Sequence, residues 1–159
     1  EYHTAIGRPV YGGGGITPDI FVAEDTTDVT SYYKQASLSG LIIMYAYNYV
    51  DDNRQKLKEF KTAGELAKYL VNQNTVDKFA TYAEQNGLKR RNLMIQKSHK
   101  LLERYINSRI IYNTMNEEAW MQYLNQDDPA IKETLKVFRN GEAFPKAPAK
   151  EPAYTACVA

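Results

Sequence analysis

At 159 residues, with 43% hydrophobic and 25% charged side chains, the chain has material for one ordinary globular core and too little for several domains. Its 20 basic and 19 acidic residues leave a formal charge of +1, which offers no net field toward nucleic acid, an anionic membrane or an acidic substrate. The single cysteine, Cys157, excludes an internal disulfide and stands one place too late for prenylation.

The opening, Glu1-Tyr2-His3-Thr4, carries neither an initiator methionine nor a basic-then-apolar signal pattern, and it reads as the inside of a folded element, so a fragment is expected. Residues 2–11 and 16–22 are rich in β-branched and aromatic residues and flank Gly12 to Gly15, which predicts a strand, a turn and a second strand. Pro9 and Pro18 each remove a ladder donor and suit an edge position, so residues 1–22 read as the edge of a larger sheet. Residues 23–29 form a polar joint, after which the hydrophobic period changes from about 2 to about 3.6. The expected fold class is therefore mixed and mainly α: a short strand pair followed by a helical subdomain over residues 30–141.

Within that subdomain Ile42, Tyr45, Ala46, Tyr49, Leu57 and Phe60 keep helical spacing. Thr62 with Glu65 is a capping box for a helix running through Leu70. Thr75 opens the next helix, with Val76, Phe79, Ala80 and Ala83 on one face and Gly87 as its stop. The longest helix is expected from about Arg90 to Met115, with Met94, Leu101, Leu102, Tyr105 and Ile110 inward. Asp128 caps the last, with Pro129 in its first position and Ile131, Leu135 and Phe138 inward before Gly141. Residues 142–159, rich in proline and alanine, show no period and are expected to form an extended or mobile tail. Thirteen tyrosines against five phenylalanines and one tryptophan predict many shallow contacts rather than one dry core. The longest apolar run, residues 41–47, is far short of the roughly 20 residues a membrane span needs.

Several groups of residues bear on chemistry. Ser31 and Lys34 have the serine-x-x-lysine spacing that allows an amine to deprotonate a hydroxyl, but with no companion motif they read as a surface pair. His99 and Glu103 share a helix face, while His3 is far away in sequence, so no metal set is assembled and no cofactor is expected. Lys89-Arg90-Arg91 with Lys97, Lys100 and Arg104 is the densest basic stretch; Glu84 and Glu103 dilute it, and a solvated helix face is favoured over a nucleic-acid site. Gly12, Gly13, Gly14 and Gly15 lead into Ile16-Thr17-Pro18-Asp19 rather than into a helix, which favours a structural turn over a phosphate cradle. Met94, Met115 and Trp120 read as core. These residues by themselves carry an edge piece of sheet, a helical subdomain and no catalytic constellation.

Gly7, Arg8, Gly15, Ile16, Pro18 and Asp19, spaced as Gly-Arg, glycines and Gly-Ile-x-Pro-Asp, resemble the segment that ends the protease core of carboxyl-terminal processing, or tail-specific, serine peptidases. Ser31-Tyr32-Tyr33, Leu41-Ile42, Tyr49-Val50 and Asn53-Arg54 resemble, more diffusely, the helical extension of envelope members of that family. The resemblance implies a parent serine endopeptidase with a serine-lysine dyad upstream of residue 1, acting on protein or peptide substrates in the periplasm or cell envelope of a Gram-negative bacterium. It assigns no catalytic residue to this chain and gives Gly7, Arg8, Gly12 to Ile16, Pro18 and Asp19 a structural role. The chain alone is then expected to be non-catalytic, with its helices shaping access or mediating self-association. The alternative is a non-catalytic helical binding or scaffolding module with a tyrosine-rich partner surface.

Overall fold

The computed structural model describes residues 2–3, 9–10 and 20–141. It divides into two compact units, one comprising Glu24–Ile131 and the other Glu1–Ala23 with Lys132–Ala159.

In the second of these, β1 (Tyr2–His3) pairs antiparallel with β2 (Pro9–Val10), Tyr2 opposite Val10 and His3 opposite Pro9. Among the described residues the ladder has two rungs and the sheet two strands. The expected class, mixed with the edge of a protease-core sheet, is thereby corrected: among the described residues the fold is essentially all-helical. Residues 20–22, placed in a strand by their composition, have no regular structure, and Ile20 and Phe21 are exposed, so no apolar face is buried there to hold a sheet. Gly7, Arg8, Gly12, Gly13, Gly14, Gly15, Ile16, Pro18 and Asp19 lie outside the described residues.

The helical unit contains α1 (Ser31–Leu38), α2 (Leu41–Asp52), α3 (Arg54–Leu57), α4 (Ala63–Val71), α5 (Thr75–Gln85), α6 (Asn92–Lys97), α7 (His99–Thr114) and α8 (Glu117–Asn125). A further helix, α9 (Pro129–Arg139), runs across the division. Most boundaries follow from local chemistry. Thr62 Oγ1 accepts from the Glu65 amide at 3.2 Å while the Glu65 carboxylate accepts from the Thr62 amide at 3.3 Å, the expected capping box. At the end of α5 the Leu88 amide reaches back to the Ala83 carbonyl at 2.9 Å, which requires the left-handed φ of +91° that Gly87 adopts. Asp128 Oδ1 accepts from the amides of Ala130 and Ile131, capping α9 around Pro129. Along α9 the expected inward face is not buried: Leu135 and Phe138 are exposed and Ile131 is half-buried.

The single long helix expected over residues 90–115 is broken into α6 and α7 at Ser98. That serine is fully buried; its hydroxyl donates to the Asp28 carbonyl at 2.6 Å and lies 2.7 Å from Thr30 Oγ1. Thr30 in turn caps α1 by accepting from the Tyr33 amide. The break thus sits where the start of α1 is clasped.

α7 is the hub, packing against α2, α4, α5, α6 and α8. Around it lies one contiguous buried cluster, including Ile42, Leu57, Leu66, Leu70, Phe79, Leu102, Ile106, Ile110 and Ile111. The expectation of shallow tyrosine contacts alone is corrected in part: Tyr32, Tyr45 and Tyr49 are buried in that core, while Tyr33, Tyr69, Tyr82, Tyr105 and Tyr123 pack half-buried at its margin. Tyr45 is the aromatic centre, 5.6 Å from Phe79 edge-to-face, 5.6 Å from Tyr82 and 6.0 Å from Tyr49.

Burial has an electrostatic consequence. It disfavours the phenolates of Tyr32, Tyr45 and Tyr49 and raises their pKa values above the ordinary 10.0, that of Tyr49 to about 12. The unfolded chain ionises these groups near 10, so the stability their neutral forms contribute is complete below that pH and is lost as pH rises through about 12. The melting temperature is expected to fall over this range, and to fall less for the Tyr45→Phe/Tyr49→Phe variant than for the wild type. Equal losses would contradict the assignment.

Candidate functional site

α2 carries more apolar surface than its packing uses. Gly40, with φ of +75°, turns the chain out of α1 and sets α2 against α7, burying Ile42, Tyr45, Ala46 and Tyr49. Ile43, Met44 and Tyr47 follow the spacing of the opposite face, and Met44 and Tyr47 are 54% and 62% exposed. Leu38, just before the Gly40 turn, is also exposed. Scattered surface hydrophobes are ordinary, but an apolar row on one helix face is a recognised mark of an interaction surface.

Tyr47 also lines a cleft of about 230 Å³ between the α2–α3 corner and the end of α7. The corner forms because Asn53 leaves helical geometry, its side-chain amide donating to the Tyr49 carbonyl at 2.8 Å, while buried Leu57 anchors α3. Opposite, Thr114 donates to the Ile110 carbonyl and the backbone turns away at Met115, leaving Asn113 and Thr114 on the cleft wall. Tyr47, Val50 and Leu57 supply apolar surface. The charged lining is Asp51, Arg54 and Lys58. Arg54 pairs with Asp51 at 2.5 Å, an exposed pair that orients the guanidinium and contributes roughly 0–1 kcal/mol to stability. Lys58 makes no ion pair among the described residues, so the cleft keeps a free cation. The cleft thus combines an apolar seat with a polar, slightly positive rim.

A second feature lies on α7 and α8. The Arg109 guanidinium stands 5.7 Å from both the Tyr105 and Trp120 rings, and Trp120 meets Tyr112 edge-to-face at 5.8 Å. Trp120, expected in the core, is half-buried in this stack.

The residues singled out from sequence are not brought together into a catalytic arrangement. The Ser31 hydroxyl donates to Met94 Sδ at 3.2 Å, and Lys34 is exposed on the next turn. His99 is exposed and Glu103 half-buried, and no group of three or more potential metal ligands occurs among the described residues. Arg90 is committed to a junction with α5, bonding to Asp77, to Thr81 and to Asn92. Sequence reasoning passed over Tyr47, Ile43 and Met44. Their signal was available: residues 41–47 are apolar on both faces of a helix, which is more than one buried stripe requires.

The model of the family of unknown function DUF8443 matches residues 32–117. The chain belongs to this family. The DUF8443 match runs from Tyr32 in α1 to Glu117 at the start of α8, so it contains the whole cleft and the exposed face of α2. Comparison with curated proteins and with solved structures gave no match.

The resemblance to tail-specific peptidases is corrected on these findings. The family that matches is DUF8443, the folded unit is helical throughout, and no curated peptidase accompanies the match. The serine endopeptidase function and the terms that went with it are withdrawn, and the periplasmic placement, inferred from that resemblance alone, loses its support. No helix among the described residues is long and apolar enough to cross a membrane.

Proposed function

We propose that this DUF8443 chain is a non-catalytic helical binding or scaffolding module that takes a protein partner on the outer face of α2 and the adjoining cleft. The observation that carries this reading is the position of Tyr47, exposed in the row with Ile43 and Met44 and at the same time part of the cleft wall. A partner helix or loop laid on the row would place one side chain in the cleft, against Val50 and Leu57, with Arg54 and Lys58 at the rim. Tyrosine, methionine and arginine, all present here, are enriched at such interfaces. The aromatic core built on Tyr45 supports a rigid platform beneath the row.

Binding is tested by the size of the native complex in the source cell. The wild-type chain is expected to migrate in a discrete assembly, and Met44→Asp/Tyr47→Ala is expected to weaken that assembly at least about 30-fold, as loss of an interface hot spot does, with an unchanged melting temperature. A wild-type chain that migrates free, or a variant assembly indistinguishable from the wild type, would overturn the proposal. In the same preparation a serine-reactive phosphonate is expected to leave Ser31 unlabelled.

A further inference from the structure

The net charge of +1 conceals a segregation. Between Glu84 and Glu103 the sequence has five cations, Lys89, Arg90, Arg91, Lys97 and Lys100, and no carboxylate. Arg90 is spent on Asp77. The other four are exposed and make no ion pair among the described residues. Leu93 and Lys97 are four apart on α6, Lys100 lies in the first turn of α7 just past the break at Ser98, and Lys89 and Arg91 immediately precede α6. In the middle of these cations Leu93 is 83% exposed. The inner side of α6 is occupied instead by Met94, Ile95 and Ser98, and the Asp28 carbonyl, with the start of α1, lies on that inner side.

We propose that this face, Lys89, Arg91, Leu93, Lys97 and Lys100, docks on an anionic lipid surface, with the cations over the headgroups and Leu93 entering the headgroup–acyl boundary. Charge complementarity selects an anionic occupant, since four exposed cations, unpaired among the described residues, fall close together in sequence with no acidic side chain of their own segment to neutralise them. Leu93 selects lipid among anionic occupants. A leucine held out in water amid lysines gains nothing from a phosphate backbone, but recovers apolar burial in a bilayer. Residues 85–102 also contain no tyrosine, tryptophan or phenylalanine to stack on bases, as single-stranded nucleic acid binding requires. The surface is separate in sequence from the α2 row and does not depend on the binding role assigned to it.

The test is sedimentation of the full chain with vesicles of phosphatidylcholine alone and with about 30% phosphatidylserine. Binding is expected to the anionic vesicles only, and to fall as salt rises. Each cation near such a surface is worth roughly fivefold in affinity, so Lys97→Glu/Lys100→Glu is expected to weaken binding by at least about 25-fold. Leu93→Ser is expected to weaken it about fivefold. Equal sedimentation with both vesicle types would overturn the proposal. So would loss with the lysine variant and none with Leu93→Ser, which would make the face a general polyanion site. Tighter binding of a single-stranded oligonucleotide than of vesicles at the same salt, abolished by the lysine variant, would assign it to nucleic acid instead.

Discussion

Phe79→Ala is expected to destabilise the helical unit by about 3–5 kcal/mol, the range for removing a fully buried phenylalanine. Phe79 has no exposed surface and stands edge-to-face with Tyr45 at 5.6 Å, so the substitution deletes both apolar burial and the ring contact at the aromatic centre. Tyr45 would lose one wall of its packing, and through it so would Tyr49 and Tyr82. In a domain of this size a loss of that magnitude lowers the melting temperature by on the order of 15 °C. Tyr82→Ala removes a ring the same distance from Tyr45 but half-exposed, and is expected to cost clearly less. Equal costs at the two positions, or a Phe79→Ala penalty under about 1.5 kcal/mol, would mean that Tyr45 and Phe79 are not the centre of the core.

The second large effect is expected at Asn107. This side chain is 1% exposed on α7, and its Oδ1 accepts from Thr75 Oγ1, itself buried at the start of α5, at 3.0 Å. The pair joins α5 to the hub helix through polar groups away from water, where an unpaired partner costs about 1–3 kcal/mol. Asn107→Ala leaves the Thr75 hydroxyl without its acceptor and opens a cavity, so about 2–3 kcal/mol is expected. Thr75→Val leaves the Asn107 carboxamide oxygen unpaired. The double variant Thr75→Val/Asn107→Ala is expected to cost less than the two single effects together, by at least about 0.5 kcal/mol. Strict additivity in denaturant unfolding would show that the two residues do not act as a pair.

The parts of the fold legible in the sequence are those determined within a few residues. The Thr62–Glu65 box, the Gly87 stop and the Asp128 cap each satisfy backbone groups of their own turn, and each stands where its residues indicated. The buried face of α5, Val76, Phe79, Ala80 and Ala83, follows from helical spacing in the same way. The break at Ser98 was not legible, because it depends on a bond to the Asp28 carbonyl, 70 residues away in sequence. α8, to which Trp120 belongs, was given no bounds although its start signal is local: Asn116 accepts from the Ala119 amide, and Glu117 and Glu118 occupy the first turn, where negative charge suits a helix start. At residues 20–22, the described part of the strand expected over 16–22, composition misled, because β-branched and aromatic residues form strands only where a neighbouring strand and a buried face are available. The same dependence on surroundings explains the site. Residues 41–47 announced a helix with too many apolar residues, but which of them face outward is decided by the packing of α2 on α7. The overall charge, likewise, says nothing of where the cations gather once Arg90 is paired with Asp77 on α5.

Docking on the outer face of α2 is tested most directly by a photo-crosslinking residue placed at Tyr47, with a control at exposed Lys78 on α5, and irradiation in the source cell. A discrete crosslinked protein is expected from position 47, suppressed by Met44→Asp and absent from position 78. Crosslinks of equal yield from both positions, or none from position 47, would contradict the account.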